Sequence, residues 1–335
     1  MLKQVWTYLA VVFLLAGCST ASAGDGIAPK KIISIATVQP ENHPVALGLK
    51  GFKEYIEEHL GDRYEVRIYH NGVIGGNSEA LELLQMGSLD MVATSGSNLE
   101  AFANEYKIFG LPYLFNDEQS FREVMEDERF INQIYDSTLE NGIQGVGWFA
   151  NGVNNFYSSK KIETPEDLKG LKIRVQASEA NVKMVQGFGA AAVVMAYGEV
   201  YTALQNGVID AGTNPEMALV SMKHGEVAKH YSRTEHQIFT DMFLASTKFL
   251  DSLNEEEAKI FEKGFKLSTE VANREWDEQI TKTIQEAKAM GVEFVEVDKQ
   301  LFEEKQQPVK EALLNANPDL KPLYEIIHEI QNGGK

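Results

Sequence analysis

The sequence predicts an α/β protein with two lobes and one long helix that spans both of them. The chain has 335 residues, enough for roughly two domains of about 150 residues each. Strand and helix patterns alternate in residues 31–93 and again in residues 144–211, which is typical of α/β units with largely parallel strands. One uninterrupted helical pattern then runs from 254 to 290. At 1.5 Å per residue it would reach about 55 Å, which is too long for one small domain.

The first unit predicts three strands and two helices. Its first strand is the β-branched run KIISIAT at 31–37. Pro44 suits the first turn of an amphipathic helix over 45–60. The remaining elements of this unit are a strand at 64–69, a helix at 78–86 and a strand at 89–93.

The second unit repeats the alternation with shorter elements. Thr164 and Pro165 favour a helix start, as N-cap and first helical residue. The predicted elements are strands at 144–150, 170–175, 191–195, 208–211 and 239–247, and helices at 164–168, 179–188 and 198–206.

The third region is mainly helical. Asn254 caps a first turn of three glutamates, which favours a helix N-terminus. A strand at 292–297 follows, and residues 302–333 predict helices broken at Pro308, Pro318 and Pro322.

Composition excludes several classes of protein. Hydrophobic residues make up 44% and charged residues 24% of the chain, values that are ordinary for a globular protein and exclude a disordered or collagen-like chain. The 31 basic residues are outnumbered by 49 acidic ones, for a net charge of −18. Such a surface repels phosphate backbones, so we expect no nucleic-acid partner. One cysteine cannot form an internal disulfide.

That single cysteine ends an apolar N-terminal segment. Lys3 precedes an apolar run at 5–16 that is too short to span a bilayer but suits a signal peptide. The run ends in Leu-Ala-Gly-Cys at 15–18, which resembles a bacterial lipobox. We therefore expect residues 1–17 to be a lipoprotein signal peptide and Cys18 to be acylated.

An acylated Cys18 would place the protein outside the cytoplasm, lipid-anchored to the cell membrane. Residues 18–30 are mostly small and polar, and we expect them to form a flexible tether. The alternative is an ordinary secretory signal cleaved after Ala21 or Ala23.

Signals of catalysis are scarce. The chain has no Gly-x-Ser-x-Gly elbow, no His-Glu-x-x-His and no P-loop. The run GFGAAA at 187–192 follows a helix rather than a strand, so it predicts a helix cap and turn and not a dinucleotide site. Three histidines at a spacing of six, which fits neither a strand nor a helix face, are His224, His230 and His236. We therefore expect no catalytic residues, no cofactor and no metal.

Arg174 is the most informative single residue. It lies inside a predicted core strand, where an arginine costs free energy unless it is paired. One interpretation is a structural salt bridge. The other is a bidentate clamp on a carboxylate ligand, the geometry that guanidinium forms best.

Longer motifs around Arg174 carry a resemblance to a known family. These are PEDLKGLKIRV at 165–175, GEVYTALQNGVID at 198–210 and the pair Asn214-Pro215. Further similar segments lie at 75–91 and at 110–115 (GLPYLF). In this order they resemble the solute-binding proteins of TRAP transporters, the DctP family, from residue 32 to about 330.

The resemblance implies a two-lobed fold like that of periplasmic binding proteins, with the ligand in the cleft between the lobes. The first lobe would comprise residues 28–151 and 240–279, and the second residues 152–239 and 280–335. The family implies a monomer that closes on an organic acid and docks on a small and a large membrane subunit for ion-driven uptake.

The resemblance also implies ligand contacts. Arg174 matches the arginine that grips the ligand carboxylate with two prongs, and Asn214 matches an asparagine that reaches the same carboxylate. The other implied contacts are Tyr197, which lines the cleft, Ser95 or Gly96 after a first-lobe strand, His43 at the first helix, and Glu79.

One departure from the family bears on the ligand. Asn154 stands where many relatives carry a second arginine, so one positive charge is missing. An amide suits hydroxyls better than a second carboxylate, which favours a sugar acid such as a hexuronate. We expect Asn154 near the ligand, and His236 and Glu79 at its hydroxyl end. A C4-dicarboxylate or other organic acid, a protein that presents its ligand to a sensor receptor, and a periplasmic hydrolase or lyase remain alternatives.

Overall fold

The computed structural model describes residues 29–333, so the predicted signal peptide and Cys18 lie outside the described residues. The strands are β1 Lys31–Thr37, β2 Tyr64–Tyr69, β3 Met91–Ser95, β4 Ile143–Ser158, β5 Lys172–Val175, β6 Ala191–Val194, β7 Ala211–Asn214, β8 His230–Ser246 and β9 Glu293–Val295.

The α-helices are α1 Pro44–Leu60, α2 Asn77–Gln85, α3 Glu118–Glu126, α4 Glu128–Asp136, α5 Glu179–Gly187, α6 Val200–Gln205, α7 Met217–Ser221, α8 His224–Val227, α9 Thr247–Leu250, α10 Glu255–Ala289, α11 Lys299–Ala316 and α12 Lys321–Gln331. Short 3₁₀ turns lie at Gly96–Ala101, Asn104–Gly110, Leu139–Asn141, Pro165–Leu168, Tyr197–Glu199 and Pro318–Leu320.

Within residues 29–333, all nine strands join one mixed sheet in the order β2-β1-β3-β8-β4-β7-β5-β6, with β9 beside β8. Strand β1 is parallel to β2 and β3 at one end, and β5 is parallel to β6 and β7 at the other. The long antiparallel strands β4 and β8 connect the two ends. The two predicted α/β units are these two ends, which confirms the two-lobed α/β prediction.

The register between β4 and β8 is interrupted halfway along the two strands. It shifts between Ala150 and Val153, opposite residues 238–240 of β8. Gly152 at this point has φ of +72°, a left-handed conformation that favours glycine. We propose that the lobes divide here, close to the boundaries at 151/152 and 239/240 expected from the sequence.

Helix α10 confirms the prediction of one long helix. Asn254 accepts hydrogen bonds from the backbone N–H groups of residues 256 and 257, as expected of its cap. On the first lobe α10 packs against α1, where a Cβ on Gly48 would lie 2.7 Å from the Cβ of Ala272. Further along, the hydroxyl of Thr283 contacts Met217 of the second lobe. The helix therefore crosses both lobes.

The C-terminal helices differ from the sequence prediction in two ways. Pro308 lies inside α11, so the predicted break there is wrong. Its ring is exposed, where water can bond the carbonyl that proline leaves without a partner. Helix α12 packs on α3 and α4, with an ion pair of 3.1 Å between Arg129 and Glu329. We propose that α12 belongs with the first lobe, although the sequence assigned all of 280–335 to the second.

Three strands are displaced or longer than expected. Strand β4 runs to Ser158, eight residues beyond the predicted run at 144–150. Strand β7 begins at Ala211, where the predicted strand at 208–211 ends. Strand β8 begins at His230, nine residues before the predicted 239–247 run. Its first half is polar, so the apolar pattern identifies only its second half. In the part of the chain that the structure describes, no helix is both long and apolar enough to cross a membrane.

Candidate functional site

A cleft lies where the carboxyl ends of parallel strands from both lobes meet, the usual ligand position in open α/β sheets. It encloses about 450 Å³ of space, part of it open to solvent. Its first-lobe lining is Val38, Gln39, His43, Asn77, Thr94, Ser95, Asn151 and Asp241. Its second-lobe lining is Arg174, Gln176, Tyr197, Asn214, Pro215, Met217, Ala218 and, at the boundary, Phe239.

Arg174 is the central cation of this cleft. Its side chain is buried, with 2% of the residue exposed. Nε and Nη2 donate to the carbonyl of Met195 at 3.1 and 3.0 Å, and the ring of Tyr197 lies 5.5 Å from Cζ. Nη1 is buried and has no hydrogen-bond partner. Burial lowers the pKa of this guanidinium, because it removes the charged form from water.

No carboxylate of residues 29–333 forms an ion pair with Arg174. This observation removes the structural salt bridge that the sequence left open. A buried charge with a free donor group is unfavourable until an anion compensates it. The geometry therefore fits the clamp interpretation, with Nη1 and the second N–H of Nη2 available to a carboxylate.

Asn214 presents a hydrogen-bond donor beside Arg174. The hydroxyl of Tyr157 donates to Oδ1 of Asn214 at 2.9 Å, which leaves the amide Nδ2 free to donate to a ligand. Tyr231 holds the same residue through its backbone carbonyl, at 3.1 Å. The second-lobe wall thus positions this amide for an acceptor.

Gln176 adds a second donor on the same wall. Its Oε1 accepts from Nδ2 of Asn181 at 3.1 Å, so its Nε2 is free to donate. Gln176 follows β5 two residues after Arg174, and period-two alternation puts the two on one face. The two-residue spacing from Arg174 indicates this position in the sequence, but Gln176 was not among the predicted contacts.

His43 lines the cleft as a neutral donor. Its Nδ1 accepts from the backbone N–H of Val45 at 3.3 Å as the N-cap of α1, so Nε2 carries the proton. Burial lowers the pKa of His43 to about 3, which keeps the ring uncharged at neutral pH.

Asp241 is the main cleft residue that sequence reasoning missed. It lies in the apolar stretch of β8, where the hydrophobic pattern hid it, and 2% of it is exposed. Its Oδ2 accepts from Nε2 of Gln39 at 3.4 Å. Burial raises the pKa of Asp241 to about 6. The only feature of the sequence that indicated a role for Asp241 was one aspartate within an otherwise apolar predicted strand.

Three predicted contacts lie outside this cleft lining. Asn154 is buried and donates to Gln237 at 2.8 Å. His236 is a core histidine whose two ring nitrogens bond Thr213 and Thr234, both at 2.8 Å. Glu79 is exposed and lines an outer chamber of about 620 Å³ that shares Asn77, Arg174, Gln176 and Tyr197 with the cleft. Gly96 does not line the cleft, whereas Ser95 does.

A family model for bacterial extracellular solute-binding proteins, family 7 (DctP), matches residues 35–317. The chain belongs to the DctP family. The chain is 37% identical to the uncharacterized protein YiiZ of Salmonella typhimurium, over 97% of this chain and 98% of that one. It is 30% identical to the C4-dicarboxylate-binding periplasmic protein DctP of Rhodobacter capsulatus, over 88% and 90% of the two chains.

Solved structures of TRAP periplasmic solute-binding proteins share the fold of this DctP-family chain. One from Anaerococcus prevotii, with bound α/β-D-glucuronate, is 40% identical with a TM-score of 0.89, covering 90% of this chain and 99% of that chain. One from Sulfitobacter, with bound β-D-galacturonate, is 31% identical with a TM-score of 0.86, covering 90% and 100%. The fold and family predicted from the sequence are therefore confirmed.

Replacing Tyr157 with phenylalanine should loosen the asparagine beside Arg174. Without the hydroxyl, Oδ1 of Asn214 loses its partner and the amide can rotate away from the ligand. A lost hydrogen bond of about 0.5–1.5 kcal/mol predicts roughly 3- to 10-fold weaker carboxylate binding, measured by calorimetry. Tyr201→Phe, which removes a surface hydroxyl bonded to Glu226, is the matched control. Equal affinities in the two variants would contradict the positioning role.

Proposed function

We propose that this DctP-family protein captures a hexuronate such as D-glucuronate or D-galacturonate and delivers it to the small and large membrane subunits of a TRAP transporter. The single observation that carries the proposal is Arg174, a buried guanidinium with an unpartnered nitrogen in a cleft between two lobes. The uronates bound to similar proteins from Anaerococcus prevotii and Sulfitobacter support the ligand class.

The proposed binding mode begins with the ligand carboxylate. Its two oxygens accept from the free N–H groups of Arg174 and from Nδ2 of Asn214, while Tyr197 covers the guanidinium. The ligand charge then compensates the desolvated cation, so binding removes an unfavourable feature of the empty site. His43 and Ser95 complete the proposed contacts from the first lobe, and no bond of the ligand is broken.

The cleft chemistry favours one carboxylate over two. Among the lining residues Arg174 is the only cation, since His43 is neutral. Asn154, the residue in place of a second arginine, bonds Gln237 instead of facing the cleft. A second ligand carboxylate would therefore be buried without a cation, which costs far more than burying a hydrogen-bonded hydroxyl. A C4-dicarboxylate, the ligand in the name of the Rhodobacter capsulatus relative, is the second candidate.

Titration calorimetry with D-glucuronate, D-galacturonate, succinate and malate tests this proposal. We expect one uronate to bind tightest, with one molecule bound per chain. NMR of the same mixtures should show no conversion of the uronate over hours. Tighter binding of succinate or malate would replace the sugar-acid assignment with the dicarboxylate, and turnover would replace a binding protein with an enzyme.

We further propose that the protein is a monomer held outside the cytoplasm by acylation of Cys18. The family is one of extracellular solute-binding proteins, and the lipobox-like tetrad at 15–18 supports the anchor. Cys18→Ala should leave unprocessed precursor or release the protein from the membrane fraction. Normal processing and membrane retention of the variant would contradict acylation at this cysteine.

A further inference from the structure

The two walls of the cleft differ in hydrogen-bonding character. The second lobe presents donors, namely Nη1 of Arg174, Nδ2 of Asn214 and Nε2 of Gln176. Besides the neutral donor His43, the first lobe presents acceptors: the carboxylate of Asp241 and Oε1 of Gln39, with the hydroxyl of Ser95, and both Oε1 and this hydroxyl are buried without a partner. A ligand that satisfies both walls accepts hydrogen bonds at one end and donates them at the other.

The acceptor wall is fixed by its own contacts. An ionised carboxylate only accepts, so Gln39 must turn Nε2 toward Asp241 and leave Oε1 free. Ser95 is the register partner of Asp241 across β3 and β8, which puts the two side chains on the same face of the sheet, and its hydroxyl has no partner among the described residues. Asn151 of β4 lines the same cleft, and while burial raises the pKa of Asp241, the side chain of Asn151 lowers it by a smaller amount. No Lys or Arg of residues 29–333 forms an ion pair with Asp241, and the cleft histidine, His43, is neutral.

We infer that Asp241 is the specificity-determining residue of the cleft. It accepts hydrogen bonds from ligand hydroxyls at the end opposite the carboxylate that Arg174 holds, and it repels a second carboxylate at that end. This inference rests on the proposed function and adds to it the group that rejects diacids.

The physical basis is the difference between a hydroxyl and a carboxylate in a dry site. A ligand hydroxyl donates a hydrogen bond to the carboxylate of Asp241. Hydrogen bonds to a charged group are stronger than those between neutral groups, so this contact stabilises the complex. A carboxylate brings a like charge and no donor, so one of the two groups must take up a proton or the ligand must leave. Bound succinate or malate would place a carboxylate against the first-lobe acceptors, whereas a hexuronate would place hydroxyls there.

Calorimetry on Asp241→Asn with D-glucuronate and D-glucarate tests the inference. D-glucarate is a sugar acid with a carboxylate at both ends of an open carbon chain, so it differs from the glucuronate ring in shape as well as in charge. The change of the glucuronate-to-glucarate ratio on Asp241→Asn isolates the contribution of the charge. We expect the unmutated protein to prefer glucuronate by at least tenfold. Asp241→Asn should bind glucuronate about tenfold more weakly and glucarate no more weakly than before, so that the preference collapses. Asp251→Asn, an exposed change of the same charge, is the matched control.

A purely structural role for Asp241 predicts a different pattern. It predicts a lower melting temperature for Asp241→Asn and an equal loss of affinity for both ligands. The inference predicts a melting temperature of the unliganded variant at or above that of the unmutated protein, because a buried charge is removed. An unchanged glucuronate-to-glucarate ratio in Asp241→Asn would overturn the inference.

The unmutated protein alone provides a second test that does not depend on the variant folding. Equal affinity for glucarate and glucuronate would show that no group at the far end rejects a carboxylate. Failure to bind either uronate would instead refute the proposed function, and the two failures are therefore distinguishable.

Discussion

Arg174→Lys is expected to weaken D-glucuronate binding by about 2–5 kcal/mol, or roughly 30- to 5,000-fold, the range for breaking a buried, hydrogen-bonded charge pair. Lysine keeps the charge but has no planar fork, so it cannot hold Met195 and a carboxylate together. The structure supports this division of labour, since Nε and Nη2 bond Met195 and Nη1 stays free. Calorimetry at fixed pH measures the loss.

Arg174→Met separates this binding role from a structural one. The side chain is buried without an ion pair among the described residues, so its removal leaves no carboxylate uncompensated. An unpaired buried charge costs more free energy than a neutral polar group, so its removal offsets the two hydrogen bonds lost at the carbonyl of Met195. We expect the unliganded variant to melt at or above the temperature of the unmutated protein, and glucuronate to raise it no further. A large drop in melting temperature would mean that the arginine supports the fold.

Gly110→Ala is expected to weaken uronate binding at least tenfold by holding the lobes apart. A Cβ on Gly110 would overlap the Cβ of Ala180 across the proposed lobe boundary, and would lie 3.0 Å from Oε1 of Glu100. At the same place, the backbone N–H of Ala180 donates a hydrogen bond to Oε2 of Glu100 at 3.3 Å. Because Gly110 has no positive φ, alanine suits its backbone and the methyl must be accommodated by movement between the lobes. Small-angle scattering with ligand should show a less compact particle than the unmutated protein.

Gly198→Ala is the matched control for the lobe contact. A Cβ on Gly198 meets nothing within 4 Å, and its φ is also not positive, so the methyl group enters open space. Ligand affinity and scattering should match those of the unmutated protein. Equal behaviour of the Gly110 and Gly198 variants would show that the approach of Gly110 to Ala180 does not control closure.

The second-lobe half of the site was predictable because its residues lie in long, distinctive motifs. Arg174 lies in β5 within the motif at 165–175, and Asn214 ends β7 in the pair Asn214-Pro215, shortly after the motif at 198–210. The residues that hold them, Tyr157 and Met195, were not predictable. The fold brings these two residues to the site, and their spacing in the sequence does not indicate it. The hydrogen-bond donors of the second-lobe wall can therefore be identified from the sequence, whereas the contacts that orient them cannot.

The first-lobe half was harder to predict. Asp241 lies in an apolar stretch, and the hydrophobic pattern that identified the strand concealed the one charged residue with a role in the cleft. The opposite error occurred at His236, a polar residue near the lobe boundary whose partners Thr213 and Thr234 place it in the core. Charge in a sequence shows which residues can bind a ligand, but only the packing shows which ones face it.

The extent of the long strands was also beyond sequence reasoning. Strand β8 runs 17 residues, from His230 to Ser246, but its first half is polar because it borders the second lobe's hydrogen-bonded interior. Pairing with β4 holds this polar half in an extended strand, which its composition alone does not predict. Tertiary pairing therefore decides strand length where the hydrophobic period is absent.

The most direct test of the central claim compares D-glucuronate with D-glucuronamide by calorimetry on the unmutated protein. The two ligands have the same ring and hydroxyls and differ in the group that Arg174 is proposed to hold, since the amide is neutral and has an NH2 donor in place of one acceptor oxygen. We expect glucuronate to bind at least 100-fold more tightly, about 2.7 kcal/mol, because only the carboxylate compensates the buried guanidinium. Equal affinity for the acid and the amide would contradict the proposal that Arg174 is a carboxylate clamp.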